Sequence, residues 1–204
     1  MTEAHPRRIV TVFGGSRAAE DSPDYRDAYR LGRLLAERGY TLCNGGYDGT
    51  MAAAARGAKE AHGRCIGVTV EVFSGRNPNP WIDEEINTAT LFARLEQLVT
   101  LGDAYIALRG GTGTLLELAL VWNLRALHPL PHKPIIALGA AWQRVLRYLP
   151  RHLAVRPEDL ALIACVATPE AAVAYLDRYF AGAPEPPAAR PGPRAARSTA
   201  SRPR

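Results

Sequence analysis

Ala104-Tyr105-Ile106-Ala107-Leu108-Arg109-Gly110-Gly111-Thr112-Gly113-Thr114-Leu115-Leu116-Glu117 joins a strand-length apolar run to a glycine-rich turn and then to residues at helical spacing. Residues 104–108 are continuously apolar, while Leu115, Leu118, Ala119 and Trp122 recur at every third or fourth position or close to it. The turn therefore lies at a strand's carboxyl end and opens a helix. Glycine lets backbone approach an anion closely, and a helix N-terminus offers unpaired N–H groups at the positive end of its dipole. We read Gly110, Gly111, Thr112, Gly113 and Thr114 as a phosphate cradle, with Glu117 beside it as a candidate catalytic carboxylate. Thr114-x-x-Glu117 equally has the spacing of a capping box, in which both side chains satisfy the helix's own first amides. A P-loop is excluded, because no Gly-Lys-Ser/Thr follows the glycines.

The same unit recurs on either side. Arg8 to Phe13 reads as a buried strand, followed by Gly14-Gly15-Ser16 and a helix that Ser22-Pro23 starts and Gly39 ends. Tyr40 to Asn44 is the next strand, followed by Gly45-Gly46-Tyr47-Asp48-Gly49-Thr50 and an alanine-rich helix to His62. Arg64 to Val70 is a strand, Ser74 to Pro80 a surface loop, and Leu91 to Leu101 a helix leading into residues 104–108. Strands over 134–138 and 160–166 and helices over 141–148 and 169–180 complete the alternation. The expectation is an α/β, Rossmann-like, doubly wound parallel sheet with helices on both faces. Ligands of such sheets bind beyond the strands' carboxyl ends, where all three glycine turns lie. Gly14-Gly15-Ser16 does not fit Gly-x-Gly-x-x-Gly, so a mononucleotide suits the crevice better than a dinucleotide.

With 204 residues, 47% of them hydrophobic, the chain is expected to form one domain over residues 8–181, after a flexible arm at 1–7. The tail over 182–204 is rich in Pro, Ala and Arg and is expected to be disordered. Its five arginines and one glutamate account for four of the five net positive charges, so the folded body is nearly neutral and no nucleic-acid partner is expected. Cys43, Cys65 and Cys165 are widely spaced and read as free thiols of a cytoplasmic protein. No stretch has membrane-span length, and no membrane partner is expected. His128 and His132 are separated by Pro129 and Pro131, which forbid a helical metal pair, so no metal is expected.

These residues resemble the Lonely Guy family of cytokinin riboside 5'-monophosphate phosphoribohydrolases, older members of which carry a lysine decarboxylase label. The likeness covers about residues 8 to 180. The family's Pro-Gly-Gly-x-Gly-Thr-x-x-Glu motif is matched over 109–117, with Arg109 in place of proline. Its Gly-Gly-x-x-Gly-x-Met turn is similar to Gly45 to Met51, and its first Gly-Ser turn to Gly15-Ser16. Its Met-x-x-Arg-Lys motif is matched at 91–95 in Arg94 alone of the three, Leu91 and Leu95 standing for methionine and lysine. The resemblance implies hydrolysis of the N-glycosidic bond of AMP or a cytokinin-type nucleoside 5'-monophosphate, with Arg94 and Glu117 catalytic. It also implies a homodimer, with the helices around Leu91–Leu101 and Leu115–Leu127 near the interface. Gly15, Ser16, Gly45, Gly46 and Gly49 would line the rest of the cleft, or serve turn geometry and tight packing. Arg109 is either a phosphate ligand particular to this chain or a solvated loop residue.

No cofactor is implied. Decarboxylation through pyridoxal phosphate needs a lysine, and neither Lys59 nor Lys133 lies beside a glycine turn. A non-catalytic nucleotide sensor or docking module with the same cradle is the rival reading, and 2-deoxyribosyl transfer a third.

Overall fold

The computed structural model describes residues 8–73, 75–127 and 132–182. The arm, all but the first residue of the tail, and His128 with its two prolines lie outside the described residues.

Seven strands form one parallel sheet: β1 (Ile9–Phe13), β2 (Thr41–Asn44), β3 (Cys65–Val70), β4 (Glu84–Thr88), β5 (Ala104–Ala107), β6 (Ile135–Leu138) and β7 (Ile163–Val166), in the order β4-β3-β2-β1-β5-β6-β7. The chain steps outward from β1 to β4 and then returns to lay β5 against β1, with Val12 opposite Ile106. That reversal makes the β1–β5 junction the sheet's switch point.

Side chains alternate along each strand and build two cores. Val10, Val12, Ala104 and Ile106 face α1 (Pro23–Glu37), α2 (Thr50–Glu60) and α7 (Pro169–Phe180). Phe13, Tyr105 and Ala107 face α3 (Leu91–Leu101), α4 (Thr112–Ala126) and α5 (Ala140–His152). Helices cover both faces, as expected. Ser22 caps α1 by accepting the Tyr25 N–H, and Thr90 and Thr168 cap α3 and α7 in the same way. Helices α1 and α2 touch backbone to backbone, since a Cβ on Gly32 would lie 1.9 Å from the Ala54 carbonyl oxygen.

The sequence reading missed β4. Glu-Glu-Ile-Asn-Thr has no apolar run; it is an edge strand paired only with β3, so water can keep its polar groups. The last strand is shorter than expected, because Pro157–Leu160 form a separate helical turn, α6. Helix α5 runs past Tyr148 and carries Pro150 in its last turn. Trp122, on the helix expected near a dimer interface, is half-buried and donates its indole N–H to the Asp159 carbonyl at 2.6 Å.

Candidate functional site

The three glycine turns meet at the carboxyl edge of the sheet. A Cβ on Gly15 would sit 3.0 Å from the Gly110 Cα, and one on Gly49 2.3 Å from the Gly15 carbonyl oxygen. The Thr50 N–H donates to that same carbonyl at 2.9 Å. Gly46 and Gly49 hold φ of +78° and +65°, the left-handed region that disfavours side chains. Gly15, Ser16 and Gly49 therefore pack turn against turn, and this close approach aligns the starts of α2 and α4 at one edge.

Helix α4 begins at Thr112 with Gly111 as N-cap and no side-chain cap. Its first intrahelical bond runs from the Leu115 N–H to the Gly111 carbonyl, so the amides of Thr112, Gly113 and Thr114 precede it. This overturns the capping-box alternative. Thr114 lies inside the first turn and Glu117 one turn further on, so both point from the same inward face. Space around the Cβ directions of Gly111 and Gly113 is open to at least 4 Å. The Thr114 hydroxyl is buried without a hydrogen-bond partner and stands against Gly110, whose Cβ would lie 2.1 Å from it.

Arg94 projects from α3 on the face that also carries Leu98, which buries it to 6% exposure. Its Nε donates to the Val68 carbonyl at 2.8 Å, Nη2 to the Gly45 carbonyl at 3.4 Å and Nη1 to Glu117 Oε1 at 3.3 Å. Gly45 is small for a reason: a Cβ there would meet Arg94 Nη2 at 2.0 Å. Glu117, 7% exposed, is pushed up to about 7 by burial, which outweighs the lowering effect of Arg94. Glu117 is thus a buried carboxyl poised near neutrality beside a buried guanidinium.

Arg94, Glu117, Thr112, Gly113 and Thr114 share a cleft of about 390 Å³. The rest of its lining is apolar: Tyr47, Met51, Phe73, Leu91, Leu95 and Leu116. None of these six was singled out from the sequence as a site residue. Leu91, Leu95 and Leu116 carry the same 3–4 spacing as core residues, and Tyr47 and Phe73 meet edge to face at 5.7 Å only because β2 and β3 are neighbours. Gly15, Ser16, Gly45, Gly46, Gly49, Arg109, Gly110 and Gly111 frame the cleft without lining it. Arg109 is exposed and donates to Asp24 of α1 at 3.1 Å. Lys59 pairs with Asp83, and neither lysine lines the cleft. Among the described residues no cluster of metal-ligating side chains occurs, and no helix is long and apolar enough to cross a membrane.

A doubly wound parallel sheet, with a helix N-terminus open at the strand ends and a buried Arg–carboxylate pair lining the same cleft, defines a Rossmann-like α/β protein. Residues 7–172 match the SLOG cluster4 family, and the chain belongs to it. It is similar to a cytokinin riboside 5'-monophosphate phosphoribohydrolase of Mycobacterium tuberculosis, 36% identical over 98 residues covering 47% of this chain and 52% of that protein. It is also similar to a pyrimidine/purine nucleotide 5'-monophosphate nucleosidase of Escherichia coli, 32% identical over 54% of this chain and 26% of that protein. Those alignments span about half and a quarter of the two relatives. Among solved structures, the molybdenum cofactor binding protein of Rippkaea orientalis superposes with a TM-score of 0.69 at 28% identity, covering 87% of this chain and 99% of that one.

Proposed function

We propose that the chain is a nucleoside 5'-monophosphate phosphoribohydrolase, releasing a free base and ribose 5-phosphate. The observation that carries this is the Arg94–Glu117 pair at the foot of the cleft, one turn below the open amides of α4. The substrate phosphate takes those amides and the Thr114 hydroxyl, which otherwise has no partner. The ribose then lies over Glu117. As the C1'–N bond breaks, its electrons leave with the base and positive charge develops on the sugar. A fixed carboxylate stabilises that charge, takes a proton from the water that adds to C1' and returns it to the departing base, which leaves neutral. Arg94, rigid through its bonds to Val68 and Gly45, holds the carboxylate in place.

The relatives named for this chemistry support the reading. The test is incubation with AMP and other monophosphates followed by chromatography of the bases. Release of base that Glu117→Gln abolishes, with AMP binding retained, is the expected result; no release from any monophosphate overturns it. The likeness to a molybdenum cofactor binding protein over 87% of this chain supports a second reading, a cofactor-binding protein that uses the same cleft without hydrolysis. That reading requires the cofactor to stay bound through gel filtration and no base to be released.

We further propose a cytoplasmic homodimer. Leu91, Phe92, Leu115 and Leu116 are large apolar residues exposed on α3 and α4, Phe92 by 85%. Sedimentation of the wild type as a dimer and of Phe92→Glu as a monomer is the expected outcome.

A further inference from the structure

The cleft has a charge problem. A phosphate monoester carries close to two negative charges, yet Arg94, the only cation lining the cleft among the described residues, is paired with Glu117 and spends its other donors on two carbonyls. Leu95, at 7% exposure, adds an apolar surface where the resembling family has lysine. Outside the cleft's lining but next to the cradle, Arg109 supplies a cation where the resembling family has proline.

Arg109 immediately precedes the cradle, and its carbonyl lies 3.6 Å from where a Gly15 Cβ would be, at the junction of the first and third turns. From there its side chain, 68% exposed, reaches across the switch point to Asp24, whose side chain is 34% exposed. Such a solvated ion pair is worth about 0–1 kcal/mol. A phosphate offers an arginine two oxygens at once and a larger charge, so exchange of the carboxylate for the phosphate is downhill.

We propose that Arg109 is the phosphate clamp of this chain, held off by Asp24 in the free protein and transferred to the substrate phosphate on binding. This rests on the phosphate-cradle reading above and deepens it. Because the pair competes with the ligand, its two members have opposite effects on affinity, which a structural strut would not give.

The test is calorimetric titration of inorganic phosphate and of AMP into the wild type, Arg109→Pro, Arg109→Ala, Asp24→Asn and the double variant, with melting temperatures recorded alongside. Loss of one charge-assisted contact predicts about tenfold weaker binding in either Arg109 variant. Asp24→Asn tightens binding about threefold, since it removes the competitor. The double variant matches Arg109→Pro, and the salt dependence of binding flattens in both. If Asp24→Asn and Arg109→Ala shift affinity in the same direction, or neither shifts it, the proposal is overturned. Base release is scored separately: its absence with the opposite-sign pattern intact removes the hydrolase reading and leaves the clamp standing.

Discussion

Replacing Glu117 by glutamine raises the stability of the protein relative to the wild type progressively as pH rises from 5 to 8. The carboxyl of Glu117 titrates near 4.5 when unperturbed and is pushed up to about 7 in the fold. The folded state therefore binds the proton more tightly than the unfolded chain does. That contribution to stability is fully present below pH 4.5 and is lost as pH rises through 7. A shift of this size corresponds to about 3 kcal/mol, of which about 2–3 kcal/mol falls between pH 5 and 8. Glutamine is uncharged throughout, and all other titrating groups are common to the two proteins, so they cancel in the difference. For a chain of this length the gap in melting temperature between variant and wild type widens by about 5–10 °C across that range. Paired thermal melts at half-unit steps of pH measure it. The loss of a partner for Arg94 adds an offset independent of pH, so the slope and not the absolute gap is the readout. Parallel curves would refute the reasoning: they would mean that Arg94 holds Glu117 ionised in the fold throughout the range, against the burial that surrounds it.

The same titration governs catalysis, since the proposed chemistry uses the carboxylate; kcat/KM for AMP falls tenfold per unit as pH drops below about 7, and a flat profile between pH 5.5 and 8 contradicts it. Gly45→Ala places a methyl group 2.0 Å from Arg94 Nη2 and 2.8 Å from the Met51 sulfur; base release drops at least tenfold, while overpacking costs about 1–3 kcal/mol in denaturant melts. Thr114→Val removes a buried hydroxyl that has no partner, so thermal stability holds or rises while AMP binding, followed by calorimetry, weakens about tenfold. Gly32→Ala drives a methyl into the Ala54 carbonyl where α1 crosses α2, and it lowers the urea midpoint by the equivalent of about 1–3 kcal/mol with the affinity of whatever remains folded unchanged.

The alternation of apolar runs, glycine turns and helical stripes determined the doubly wound architecture. Each signal is local: uninterrupted apolar residues for a strand buried on both faces, Ser22-Pro23 for a helix start, glycine where a strand hands over to a helix. Arg94 and Glu117 were legible from the motifs of a resembling family, and the cradle from its glycines. What no local signal carried is how those parts meet. Whether Glu117 caps its own helix or faces a cleft turned on where α4 starts, and that start is Gly111 because the packing of Gly110 on Gly15 leaves the following amides open. The reason for Gly45 lies in a guanidinium 49 residues away. The apolar wall was indistinguishable from core, since leucines at 91, 95 and 116 follow the same period whether a helix neighbour or a ligand covers them. Edge strand β4 has no hydrophobic signature because only one side of it needs a partner. Periodicity reports which residues leave water; only the tertiary arrangement decides what they meet there, because charge, desolvation and shape at a site are sums over segments far apart in the chain.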